Sequence, residues 1–218
     1  MKKPIKKLLS VCALIAILVV TCIPTVSAIE PRRIDFAAYV WVVSDAGEGL
    51  GESMGIDGHS FLIVENVSHS EITVGHYDLP VGETVTIGTF GNRDAHKGIW
   101  YNIEGYYERT EGYPSPYAAV TAVTGSELNT MNAAINGHDS WSLLDNCSEF
   151  AADVWNSIAP SYVELRGGDP ATMVTDIINC DYYDGRADIP TKSISEIARQ
   201  TSSGIVYDRS GAEGGSIS

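Results

Sequence analysis

The chain has 218 residues, with 28 acidic against 14 basic side chains and a formal charge of −14 at neutral pH. That balance excludes a nucleic-acid-binding surface, which needs clustered Lys and Arg for phosphate contacts, and it opposes adsorption to an anionic membrane. The length is enough for one well-buried core.

Taken in chain order, residues 1–28 read as a cleaved secretory signal. Lys2, Lys3, Lys6 and Lys7 precede an apolar run from Leu8 to Ile23, and Val26-Ser27-Ala28 places small residues at a cleavage site. The run is at the edge of what spans a bilayer, and no second one follows. The expectation is a secreted protein, extracellular or attached to a cell wall, with no stable membrane span after cleavage. Losing four lysines and no acidic residue takes the charge from −14 to −18.

The remaining chain is expected to form one domain over 29–205 and a flexible tail over 206–218. Ile34 to Val43 is β-branched and aromatic, a buried strand. Five glycines between Ala46 and Gly58 make a long loop. Phe61–Val67 and Ile72–Tyr77 flank Ser68-His69-Ser70 and read as a hairpin. Thr84–Phe90 and Ile99–Tyr107 read as a second hairpin around Gly91–Asp94, and Tyr117–Thr124 as a further strand.

The period then changes. Thr124 and Glu127 have capping-box spacing and open a helix that Gly137 closes. Asn146 caps another, whose apolar positions Cys147, Phe150, Ala151, Val154, Trp155 and Ile158 make one stripe. Asp169-Pro170 starts a third, to about Asn179. Strands first and helices afterwards predict an α+β fold, an antiparallel sheet packed against the Cys-bearing helix.

Cys147 and Cys180 are the cysteines left after signal removal. In an oxidising compartment the two can pair as a disulfide. Unpaired, Cys147 lies at a helix N-terminus, where unpaired N–H groups and the macrodipole favour a thiolate. Cys180 follows a helix end near Asp176 and Asp181, where negative charge disfavours one. If Ser68 and His69 form a hairpin turn, His59, Phe61, His76 and Asp78 share one strand face, so His76 or Asp78 can orient the His59 imidazole. His69, His96 and His138 read as surface residues. Tyr101, Tyr106, Tyr107, Tyr113 and Tyr117 read as packing residues, a subset of which can line a groove. No zinc-protease, paired C-x-x-C or P-loop motif is present, and the acidic stretch 176–188 lacks EF-hand spacing, so no metal or other cofactor is expected.

Gly58-His59-Ser60-Phe61-Leu62-Ile63-Val64, a turn, and Ile72-Thr73-Val74-Gly75-His76-Tyr77 resemble the paired His strands of the lecithin:retinol acyltransferase family. Asn146-Cys147-Ser148-Glu149-Phe150-Ala151 resembles its nucleophile box. That family is the circularly permuted branch of the NlpC-type papain-like superfamily, in which the His strands precede the Cys helix. It commonly has His two residues after the Cys, where this chain has Glu149. The resemblance covers about 30 residues and implies a permuted papain-like thiol hydrolase. By it, Cys147 is the nucleophile, His59 the general base, His76 (or Asp78) the orienting group, and the Cys147 backbone N–H part of the oxyanion hole. The superfamily and the secretion signal imply a peptidase or amidase acting on peptide or cell-wall amide bonds. The alternatives are a lipid acyltransferase or thioesterase, and a non-catalytic binding domain on the same fold.

Overall fold

The computed structural model describes residues 35–47, 58–90, 98–112, 116–138 and 146–212. The expected signal, most of the glycine-rich loop and the 91–94 turn lie outside the described residues. The elements run β1 (Phe36–Asp45), β2 (His59–Asn66), β3 (Ile72–Val74), β4 (Tyr77–Leu79), β5 (Thr84–Thr89) and β6 (Ile99–Tyr101). There follow α1 (Ile103–Glu111), β7 (Tyr117–Thr124), α2 (Gly125–Gly137), α3 (Cys147–Asn156), α4 (Pro170–Asn179), β8 (Tyr183–Arg186), β9 (Ala198–Thr201) and β10 (Gly204–Tyr207). The fold is α+β, built on an eight-stranded antiparallel sheet in the order β10-β9-β6-β5-β2-β1-β7-β8.

β1 and β2 hold the centre because their sequences are apolar on both faces, as a strand covered on both sides requires. Val40, Val42, Leu62 and Val64 face the helix layer, where Met131 of α2, Phe150 and Trp155 of α3 and Met173 of α4 complete one core. Val43, Phe61 and Ile63 face the other way, onto Ile103 and Tyr107 of α1 and Trp100 of β6. The stripe expected on α3 is realised: Phe150, Ala151, Val154 and Trp155 are buried. All three expected helix starts are also found. Thr124 and Glu127 form a reciprocal capping box, and Asn146 and Asp169 each accept a backbone N–H at their N-cap positions.

Three expectations are corrected. β2 does not pair with the strand after it; its neighbours are β1 and β5. The Asn66 side chain bonds the Ser70 and Leu79 carbonyls and accepts from the Ser68 N–H, which turns the chain out of the sheet. Residues 72–79 then close their own hairpin, β3–β4, around Gly75 and His76, with Gly75 at φ 61°. Second, Ile99–Tyr107 is not one strand. Asn102, at φ 67°, ends β6 and opens α1, whose buried Ile103 and Tyr107 stand four apart. Third, regular structure continues past residue 205 as far as residue 212, and residues 213–218 of the expected tail lie outside the described residues. β10 runs to Tyr207, the Asp208 N–H donates to the Ile197 carbonyl, and a 3₁₀ turn over Arg209–Ala212 buries Gly211.

Candidate active site

α3 begins against the end of β2, which brings Cys147 to His59. The Asn146 Oδ1 accepts from the Ser148 N–H (2.9 Å) and the Glu149 N–H (3.2 Å), while the Phe150 N–H bonds the Asn146 carbonyl. Cys147, half-buried, thus sits in the first turn, where a backbone N–H has no partner within the helix. Cys147 and Cys180 are both free thiols, so no bridge joins them.

His59, the first residue of β2, follows Gly58, which has a φ of 97°; a Cβ there would lie 2.2 Å from the Asp45 carbonyl oxygen. Only glycine passes so close to β1 in that conformation. The imidazole is buried between Phe61, stacked at 5.5 Å between centroids, and Phe90 at 4.7 Å. Its Nε2 is 3.1 Å from Oε1 of Glu104, a fully buried carboxylate in the first turn of α1. The other carboxylate oxygen accepts from the Thr86 hydroxyl at 2.7 Å. A buried carboxylate needs such partners, and Glu104 has both. Gly88 of β5 leaves it room: a Cβ there would fall 2.3 Å from Glu104 Oε1 and 3.1 Å from His59 Nε2.

The Cys147 thiol and the His59 imidazole each shift the other's ionisation, which with the His59–Glu104 contact gives an order of Cys147, His59, Glu104. Burial opposes charge on the imidazole. The Cys147 thiolate and its hydrogen bond, with the bond and charge of Glu104, outweigh that and push His59 from 6.5 up to about 10. Burial likewise opposes the thiolate, yet the His59 charge and hydrogen bonding from His59, the Ser60 backbone and the Ser148 hydroxyl hold Cys147 below its usual range. The two shifts depend on each other and run in the directions that a thiolate–imidazolium pair would give. Such a pair can deliver a sulfur nucleophile and return a proton to a leaving group.

Glu104 takes the place that the sequence suggested for His76 or Asp78. Both of those residues belong to the β3–β4 hairpin and are exposed. The His76 Nδ1 lies 3.3 Å from the Thr201 carbonyl, and Asp78 accepts from the Thr73 hydroxyl at 3.1 Å. The reason is the lost β2–β3 pairing, without which His59 and His76 share no strand face. Glu104 was hidden by reading its segment as a strand; the signal was Asn102, a residue tolerant of left-handed backbone, followed by Ile103 and Tyr107 at helical spacing. His138 is not a plain surface residue either: its Nε2 is 3.3 Å from Asp153 Oδ2, and its ring meets Phe150 edge-on at 5.6 Å. Tyr101 and Tyr107 are buried.

A separate cleft of about 580 Å³ lies toward the other end of β2, between Trp41, Ile63 and Glu65 and the strap 187–191. Among the described residues, no group of three or more His, Cys, Asp and Glu side chains could hold a metal. Among the same residues, no helix is long and apolar enough to cross a membrane. Comparison of the chain with family models, curated proteins and solved structures found no match.

Proposed function

We propose that this chain is a secreted thiol hydrolase, a peptidase or amidase of the permuted papain-like kind, working through Cys147, His59 and Glu104. The observation that carries the reading is the buried Glu104–His59 hydrogen bond behind a thiol held low by the same imidazole. The chain order, His strand before Cys helix, agrees with the permuted arrangement. Peptide or cell-wall amides are the substrate class implied by the motif resemblance and the secretion signal.

In this mechanism His59 takes the thiol proton and the Cys147 sulfur attacks the amide carbonyl carbon. The Cys147 N–H donates to the oxygen that becomes negative. Collapse breaks the C–N bond, His59 returns its proton to the departing amine, and an acyl-thioester remains on Cys147. His59 then removes a proton from water, whose oxygen attacks the thioester, and the carboxylic acid leaves with the thiol restored. Glu104 holds the ring orientation and favours the imidazolium, so Nε2 is its side and Nδ1 the side left for sulfur.

The test is iodoacetamide labelling of Cys147 against pH, alongside mass-spectrometric trapping of an acyl-enzyme with peptide, cell-wall and ester substrates. A labelling midpoint well below 8 that is lost in His59→Ala, plus a trapped amide-derived acyl group, supports the reading. A thiol unreactive at neutral pH overturns it in favour of a binding domain. Trapping from lipid esters alone would instead make it an acyltransferase or thioesterase.

A further inference from the structure

The strand that carries His59 also floors a second opening. His59, Phe61, Ile63 and Glu65 alternate along one face of β2, so Glu65 stands about 20 Å from His59 at about 3.3 Å per residue. Val43 and Phe61 are packed beneath α1. Next along the sheet, Trp41 of β1 pairs with Ile63, and the two form the floor of the cleft of about 580 Å³. Its far wall is the strap 187–191, pinned at both ends. The Ala187 N–H donates to the Pro116 carbonyl at 2.8 Å and the Lys192 N–H to the Gly105 carbonyl at 2.7 Å. Gly105 lets the strap close onto α1, since a Cβ there would lie 2.4 Å from the Pro190 carbonyl oxygen. The walls are held before any ligand arrives, which lowers the ordering cost of binding.

The polar groups of the cleft divide unevenly. Its strong donors are spent within the protein. The Trp41 indole N–H donates to Asp184 Oδ2 at 2.9 Å. The Arg186 guanidinium lies over the Tyr117 ring, 3.5 Å from its centroid, and donates to the Tyr117 hydroxyl at 2.7 Å. The acceptors are not spent. The carboxylates of Glu65 and Asp188 line the cleft and make no hydrogen bond or ion pair among the described residues. Three carboxylates stand against one guanidinium, a net charge of −2. Thr84 and Thr191 add hydroxyls that can serve either way.

The cleft therefore offers a ligand acceptors, negative charge, and aromatic and aliphatic surface. An anion is repelled there, and a neutral sugar needs matched donors as well as acceptors. A cation on an apolar stem uses all that is offered. We propose that the cleft binds a basic peptide segment, with an Arg or Lys stem laid along Trp41 and Ile63 and its cationic head held by Glu65 and Asp188. The volume falls within the range of ligand pockets, about 300–1,000 Å³, and exceeds what one side chain fills. The formal charge of −14 on the whole chain draws such a partner from a distance. The site does not depend on the thiol reading of Cys147.

The experiment is fluorescence anisotropy of a dye-labelled hexapeptide carrying two arginines, titrated with the full chain. The same peptide with glutamine for arginine is the comparison. The arginine peptide should bind about tenfold more tightly or better, and less so as salt rises through about 0.15 M. Glu65→Gln should weaken binding about tenfold, and the more exposed Asp188→Asn about threefold. Trp41→Leu should weaken it about threefold through loss of the aromatic face. The carboxylate-to-amide changes should leave the melting transition where it is, so their effect is not loss of fold. A charge-matched pair away from the cleft, Glu164→Gln with Asp181→Asn, should bind as wild type does. An equal loss in that pair would mark general attraction to an acidic chain and overturn the proposal. So would equal affinity for the glutamine peptide, no binding of the arginine peptide, or its displacement by a neutral chitooligosaccharide.

Discussion

Cys147 and Cys180 are the same side chain at opposite ends of neighbouring helices. Cys147 opens α3, where the first-turn N–H groups point outward and an imidazole stands beside the sulfur. Cys180 follows the last residue of α4, where burial pushes its thiol up, as do the charges of Asp181 and Asp176. One thiol is held down and the other up although both are partly buried. Burial raises both thiols; at Cys147 the neighbouring imidazole outweighs it, and at Cys180 the nearby carboxylates add to it.

The comparison breaks most completely at His59. His59→Ala should lower Cys147 labelling at neutral pH by about tenfold or more, bringing it toward Cys180. Competitive alkylation of both thiols in one sample, read by mass spectrometry, measures the ratio directly. Gly88→Ala should come next, because its methyl would displace the Glu104 carboxylate from His59. The expected result is a lower melting temperature together with a Cys147 midpoint moved toward that of Cys180. An unchanged midpoint would mean that Glu104 does not support the pair.

The pH dependence sharpens the same contrast. The folded value of His59, about 10, lies above its ordinary 6.5. Its stabilising contribution is therefore whole below about 6.5 and is lost as pH rises through about 10. Cys147 moves the other way, and its contribution is lost as pH falls through the lowered thiol value. The melting-temperature gap between wild type and His59→Ala should accordingly close at both extremes and be widest between them. Amide hydrolysis should fall above about pH 10 as the leaving-group proton is lost, while alkylation should not.

Smaller effects remain. Asn146→Ala removes the α3 cap and should cost about 1 kcal/mol in urea unfolding. Asp181→Asn should lower the Cys180 midpoint by only about 0.2–0.5 units, since an exposed charge is well screened.

What could be read from the chain was what is local. Asn146 before Cys147, Asp169 before Pro170 and Thr124 before Glu127 are contacts within one helical turn, and each was legible as a cap. The apolar stripe of α3 was legible for the same reason. The central pairing of β2 was not, because its partners lie on strands whose register no nearby turn fixes; Asn66 and Gly75 decided the turns where Ser68-His69 had seemed to. Glu104 was out of reach for a further reason. It meets His59 only because α1 folds over the same sheet face, a contact 45 positions apart along the chain.

The position of β2 also sets how the site is lost. His59 begins a strand that β1 pairs along its length and β5 along its middle, with a helix-covered core on either face. Its amide protons should therefore exchange with solvent water only through openings near the global unfolding free energy, while the outer pair β9–β10 exchanges through local fraying. Loss of the Cys147–His59 pair on warming or in denaturant should then track whole-protein unfolding, so thiol reactivity would serve as a probe of the native state itself.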